Sequence, residues 1–196
     1  MKAVCVYASG SKTLGPSYIE EAEELGRLIA QSGLALVFGG GTDGLMGAVA
    51  RGAAENGGRI IGIVPEMMNV KALLFDCSEL IITSGMRERK ALMEQKADAF
   101  IALPGGFGTL EELLEIITLR QLGVHQKPIA AVNTNGFYSG LASQFDETVR
   151  QGFAKQGAAS VYKICANARE AMDYIASGDA ARPYIKNELI KRTLGE

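Results

Sequence analysis

The sequence has few of the residues that most often form catalytic centres. Its 196 residues include one histidine, His125, and three cysteines, Cys5, Cys77 and Cys165. One imidazole excludes a histidine-rich zinc site and would have to serve any Ser-His-Asp triad alone. His125 lies in Gly-Val-His-Gln-Lys-Pro, which reads as a loop between helix and strand, so a surface or hydrogen-bonding role is expected. The cysteines are scattered, odd in number and without a Cys-x-x-Cys pair, which argues for reduced thiols and a cytoplasmic protein. No metal site and no cofactor is expected, which leaves carboxylates, guanidinium groups and backbone amides to carry any chemistry. No apolar run reaches the roughly 18–20 residues that span a bilayer, so no membrane association is expected. The segment from Met1 to Tyr7 meets a Gly/Ser turn too early for a signal peptide. Charge of one sign is also scarce: 20 Lys and Arg stand against 22 Asp and Glu, a net −2. Such a surface has no general attraction for nucleic acid. There is no Gly-x-x-x-x-Gly-Lys-[Ser/Thr] phosphate loop either.

What remains is a regular alternation of short apolar runs and helix-period segments. Strands are expected at Ala3–Tyr7, Ala35–Phe38, Ile60–Val64, Leu80–Thr83, Ala99–Leu103, Ile129–Val132 and Val161–Cys165. Helices are expected at Tyr18–Gln31, Leu45–Asn56, Met86–Lys96, Leu110–Leu122, Gly140–Gln151 and Ala168–Ala176. Nearly unbroken apolar strands in this alternation predict an α/β fold: a doubly wound, Rossmann-like parallel sheet of about seven strands with helices on both faces. With no linker, repeat or low-complexity tract, residues 1–196 read as a single domain.

Ligands of such sheets bind outside the carboxyl ends of the strands. Three turns there are rich in glycine or small hydroxyls: Ser9-Gly10-Ser11, Gly39 to Gly44, and Pro104 to Thr109. Glycine admits close approach of a ligand, and a helix N-terminus offers unpaired N–H groups to an anion. Several such turns on one sheet edge suggest a ligand carrying phosphate. Gly39-x-Gly41-x-x-Gly44 formally matches the dinucleotide fingerprint, with Glu66 at roughly the distance of a ribose-binding acid. It follows the second strand and not the first, so NAD(P) binding is kept only as an alternative.

The third turn leads into Leu110-Glu111-Glu112. Thr109-x-x-Glu112 is also a capping box, so Glu112 is either a cap for the Thr109 amide or a carboxylate directed at a ligand. Upstream, Met86, Arg89, Lys90, Met93 and Ala97 recur on one helical face. That spacing turns Arg89 and Lys90 inward near the ligand edge, unless their stems pack while the charges reach water.

Together, Pro104-Gly-Gly-Phe-Gly-Thr-Leu-Glu-Glu112 and Met86-Arg-Glu-Arg89-Lys90 resemble the paired signatures of the LOG ("Lonely guy") family of cytokinin-activating nucleoside monophosphate hydrolases. Gly39 to Gly47 is similar to the family's glycine-rich segment, and the likeness runs to about Phe153. The sequence departs at Tyr7-Ala-Ser-Gly-Ser11, at Arg87 where His is common, and over Pro65–Glu79. The resemblance implies hydrolysis of the N-glycosidic bond of AMP or an N6-modified AMP, with Arg89 and Glu112 catalytic. It further implies that Lys90, Gly105, Gly106, Phe107, Gly108, Thr109, Leu110, Glu111, Thr118, Gly40 and Gly41 bind substrate. A homodimer is implied as well, with Met86–Lys96 or Leu110–Leu122 in the contact. Family members are often labelled lysine decarboxylases, yet no pyridoxal-phosphate lysine context is visible. A non-catalytic nucleotide-binding or carrier protein is the other class that such a sheet supports.

Overall fold

A computed structural model describes residues 1–177; positions 178–196 of the expected 1–196 domain lie outside the described residues. Among the described residues, seven strands form one parallel sheet. They are β1 (Ala3–Tyr7), β2 (Ala35–Phe38), β3 (Ile60–Pro65), β4 (Glu79–Thr83), β5 (Ala99–Ala102), β6 (Ile129–Val132) and β7 (Lys163–Cys165). The helices are α1 (Pro16–Gln31), α2 (Gly44–Glu55), α3 (Met86–Lys96), α4 (Phe107–Gln121), α5 (Ser139–Arg150) and α6 (Ala168–Ala176). The strand order is β4-β3-β2-β1-β5-β6-β7. The chain therefore winds outward from β1 to β4, then restarts on the other side of β1 with β5. The topological switch point falls between β1 and β5, where an open α/β sheet forms its ligand crevice.

The period of two along each strand sorts the core into two layers. Val4 and Val6 of β1, with Leu36, Phe38 and Ile101, pack beneath α1, α2 and α6. Cys5 and Tyr7, with Val37, Ile63 and Phe100, pack beneath α3, α4 and α5. The second layer positions the site, because Met93 of α3 and Leu113 of α4 are fully buried in it. Every strand and helix expected from the sequence is present, with boundaries shifted by a few residues. The shift that matters is at α4, which begins at Phe107 and not at Leu110. Among the described residues, no helix is long and apolar enough to cross a membrane.

His125 is buried under α4, and its ring lies 5.5 Å from that of Phe100. Nδ1 accepts from the Lys127 amide at 3.2 Å, which leaves Nε2 to donate to the Ile116 carbonyl at 3.1 Å. The ring thus has a structural, hydrogen-bonding role. Burial lowers its pKa from 6.5 to about 4. As pH falls below 6.5 the unfolded chain takes up a proton that the folded one refuses until about 4, so folding stability drops across that window. The contribution of His125 to this loss is roughly 3 kcal/mol. Denaturant midpoints at pH 7 and 4.5 check it: His125→Gln is expected to lose clearly less stability between the two than the wild type. Equal losses would contradict the assignment.

Candidate active site

The crevice at the switch point is a cavity of about 310 Å³. Its walls come from the β1 turn (Tyr7, Ser9), the end of β2 (Gly39), α3 (Arg89) and the first turns of α4 (Thr109, Glu112). These stretches and the turn after β3 that carries Met68 converge there because β4, β3, β2, β1 and β5 end side by side.

Local rules set each wall. The entry to α3 is fixed by Glu88, whose carboxylate accepts from the Ser84 amide at 2.7 Å and from the Ser84 hydroxyl at 2.6 Å. That start turns Arg89 inward. Its Nε donates to the Ile63 carbonyl at 3.1 Å and its Nη1 to Glu112 Oε1 at 2.7 Å. Nη2 lies over Gly39, where a Cβ would stand 2.5 Å away, so any side chain at 39 would displace the guanidinium. The pair is nearly closed off from water, with Arg89 8% and Glu112 9% exposed. Burial raises the Glu112 pKa above its ordinary value, and the charge of Arg89 opposes that rise. A carboxylate placed this way is held ionised by its partner, while its burial favours the uptake of a proton.

The N-cap of α4 is Gly106, and no side chain caps it. Phe107, Gly108 and Thr109 are the first three helical residues, whose amides have no acceptor within a helix. Gly106, Gly108 and Thr109 line the crevice, so the helix N-terminus opens beside it, the kind of place that suits an anion. Gly105 is required by packing, since a Cβ there would stand 2.2 Å from Thr109 Oγ1. A Cβ at Gly106 or Gly108 would meet nothing within 4 Å. Packing leaves those two positions open, and both residues line the cavity.

This geometry decides between the two readings of Glu112. With the helix starting at Phe107, Thr109 is its third residue and not its cap, and Glu112 turns to Arg89. The capping-box reading fails because the true N-cap lies three residues upstream. The snorkelling alternative for Arg89 fails too, because its head group is buried and bonded inside.

Other expected site residues lie elsewhere. Lys90 is drawn to Glu111, and to Glu115 at 3.1 Å, on the outer side of α3 and α4; neither Lys90 nor Glu111 lines the cavity. Leu110 packs partly into the core, and the Phe107 ring is 92% exposed. Gly40 and Gly41 are tied to the 73–75 segment: the Gly40 carbonyl accepts from the Phe75 amide at 2.8 Å, and Gly41 bridges to Leu74. Thr118 bonds back to the Leu114 carbonyl at 2.8 Å and lies in a separate groove between α4 and α5. The N-terminus of α2, which the dinucleotide reading needs for pyrophosphate, is already engaged. The Ser9 carbonyl accepts from the Leu45 amide at 2.8 Å and the Met46 amide at 3.1 Å. Glu66 is exposed on a short 3₁₀ turn. The Gly39-x-Gly41-x-x-Gly44 pattern therefore serves the approach of the β1 turn to α2.

The residues expected to bind substrate do not include Tyr7, Gly39 or Met68, all of which line the cavity. Gly39 carries a sequence signal, since it follows β2 directly and opens the glycine fingerprint.

Comparison with known proteins identifies the family. Residues 46–175 match a family model described as possible lysine decarboxylase. The chain is 43% identical over 170 residues to the cytokinin riboside 5′-monophosphate phosphoribohydrolase LOG of Oryza sativa subsp. japonica, covering 86% of this chain and 70% of the relative. It is 40% identical to LOG7 of Arabidopsis thaliana, which bears the same activity name, covering 86% of this chain and 78% of that one. Among solved structures, the molybdenum cofactor binding protein of Rippkaea orientalis superposes with a TM-score of 0.69 at 24% identity, covering 90% of this chain and 97% of that one. The molybdenum cofactor carrier protein of Chlamydomonas reinhardtii does so at 0.69 and 22%, covering 90% and 98%. At those identities the likeness speaks for the fold alone. The match to the family model over most of the chain and the identity to its plant relatives agree: this protein belongs to the LOG family.

Proposed function

We propose that the protein hydrolyses the N-glycosidic bond of a nucleoside 5′-monophosphate, AMP or an N6-modified AMP, to free base and ribose 5-phosphate. The observation that carries this reading is the buried Arg89–Glu112 pair set one turn inside the uncapped N-terminus of α4. The names of the relatives point the same way. In this reading the amides of Phe107, Gly108 and Thr109 hold the 5′-phosphate. Glu112 then faces the ribose, where an oxocarbenium-like transition state develops positive charge at C1′. The C1′–N bond breaks as the oxygen of a water bonds to C1′. Glu112 takes the proton of that water and returns it to the departing base. Arg89 keeps Glu112 ionised for this step and holds it in place through the Ile63 carbonyl.

Purified protein incubated with a panel of nucleoside monophosphates, and separately with lysine, tests the reading. Free base from at least one purine monophosphate and no carbon dioxide from lysine are expected. Lysine decarboxylation without base release would replace it.

The assembly proposed is a homodimer. An apolar groove of about 380 Å³ lies between α4, α5 and the 153–162 segment, lined by Leu114, Leu141, Phe145, Phe153 and Tyr162. Phe153 is 83% exposed there, and a second copy of this face would cover it in a two-fold pair. Thr118 then lies at the subunit contact. Light scattering is expected to give twice the chain mass of 20.8 kDa; a single-chain mass would overturn the assembly. The three free thiols fit a reducing compartment, the cytoplasm.

A further inference from the structure

We propose that Met68 is a specificity-determining residue, which with Met86 forms an apolar jaw closing on the faces of the nucleobase. The identity of the base as part of a nucleoside monophosphate rests on the function proposed above; the placement of the jaw rests on the cavity itself.

Four methionines, Met46, Met68, Met86 and Met93, line the crevice. Met93 belongs to the core, but Met68 and Met86 are 54% and 39% exposed. Large apolar side chains left in water at the wall of a cavity gain by being covered. They come from different elements. Met86 opens α3, and Met68 closes the 3₁₀ turn Glu66–Met68 that follows β3.

The sheet order says what covers them. The N-terminus of α4 follows β5, and the Met68 turn follows β3. With β1 and β2 between them, these ends stand three interstrand spacings apart, about 14 Å. The Arg89–Glu112 pair lies between, reaching Gly39 at the end of β2. A ligand with its phosphate on α4 and its pentose at Glu112 extends its base toward the methionines. The lining supplied by the chain after β2, β3 and β4 is Gly39, Met46, Met68, Met86, Arg89 and Met93. Apart from Arg89 these side chains have no strong hydrogen-bonding group, and thioethers are pliant and polarisable. The base is therefore gripped by its faces and apolar substituents, with little reading of its polar edge.

Met67 is an internal control. It shares the turn, is 75% exposed and does not line the cavity. Calorimetric titrations with AMP and with ribose 5-phosphate are run in a Glu112→Gln background, where AMP is not consumed. Met68→Ala is expected to weaken AMP binding about fivefold to tenfold and to leave ribose 5-phosphate unchanged. Met67→Ala changes neither, and Met68→Leu retains AMP binding within about twofold. In the otherwise wild-type enzyme, Met68→Ala raises KM for AMP with little change in kcat. Undiminished AMP binding by Met68→Ala would overturn the proposal. So would equal losses for AMP and ribose 5-phosphate, or AMP binding no tighter than that of ribose 5-phosphate before any change at 68. If AMP binds but the wild type never cleaves it, the hydrolase reading fails, while the same titrations still decide the role of Met68.

Discussion

Glu112→Gln is expected to lower base release from AMP by about a thousandfold or more, with the protein still folded. The substitution keeps the shape and an oxygen that can accept from Arg89, and Arg89 retains the Ile63 carbonyl. On the proposed mechanism it removes the charge that stabilises C1′ and the base that takes the proton of the water, effects of this order in other enzymes. A buried guanidinium left without its counter-charge costs stability. The open side of the cavity lets water relieve part of that, so about 2 kcal/mol is expected, or roughly 4–8 °C in melting temperature. Melting curves and rates measured on one preparation separate the two effects. The same assignment sets the acid limb of kcat/KM. Because burial raises the Glu112 pKa, activity is expected to fall, as pH is lowered, at a value above the 4.5 of an ordinary glutamate. A folded Gln variant with wild-type turnover would contradict the assignment of Glu112.

Adenosine is expected to be poorer than AMP by roughly a thousandfold in kcat/KM. In the proposed complex the amides at the start of α4 bind the phosphate, and no side chain at the N-cap occupies them. Charge-assisted hydrogen bonds contribute about 1.5–3 kcal/mol each. Removing the phosphate forfeits two or three of them, at 1.4 kcal/mol per decade. Thr109→Ala, which leaves the backbone donors in place, is expected to cost far less. Equal rates on adenosine and AMP would show that the anion site has been misassigned.

Much of this is legible in the sequence. Strand–helix alternation gives the layers, because a parallel strand covered on both faces has an unbroken apolar run, as Ala3–Tyr7 does. Arg89 and Glu112 could be chosen from their motifs, yet their contact spans 23 residues of sequence and depends on β1 lying beside β5. The start of α4 was misjudged because Gly106 and Gly108 carry no propensity for helix, so the first apolar-periodic residue, Leu110, looked like the beginning. That three-residue error made Thr109 look like a cap. Thr118 is placed by helix phase: it bonds back along α4 and faces α5, away from the cavity. Lys90 shares a predicted face with Arg89, but one position along a helix turns a side chain by about 100°, enough to put it among Glu111 and Glu115. Met68 was out of reach of pattern reasoning, since a short turn gains its role only from the strand ends beside it.

The most direct test of the central claim is the identity of the products when AMP is incubated with the purified protein. Separation by chromatography with mass detection is expected to show adenine and ribose 5-phosphate in equal amounts, growing linearly with enzyme. Adenosine with inorganic phosphate, or AMP and an N6-modified AMP both unchanged at high enzyme concentration, would contradict it.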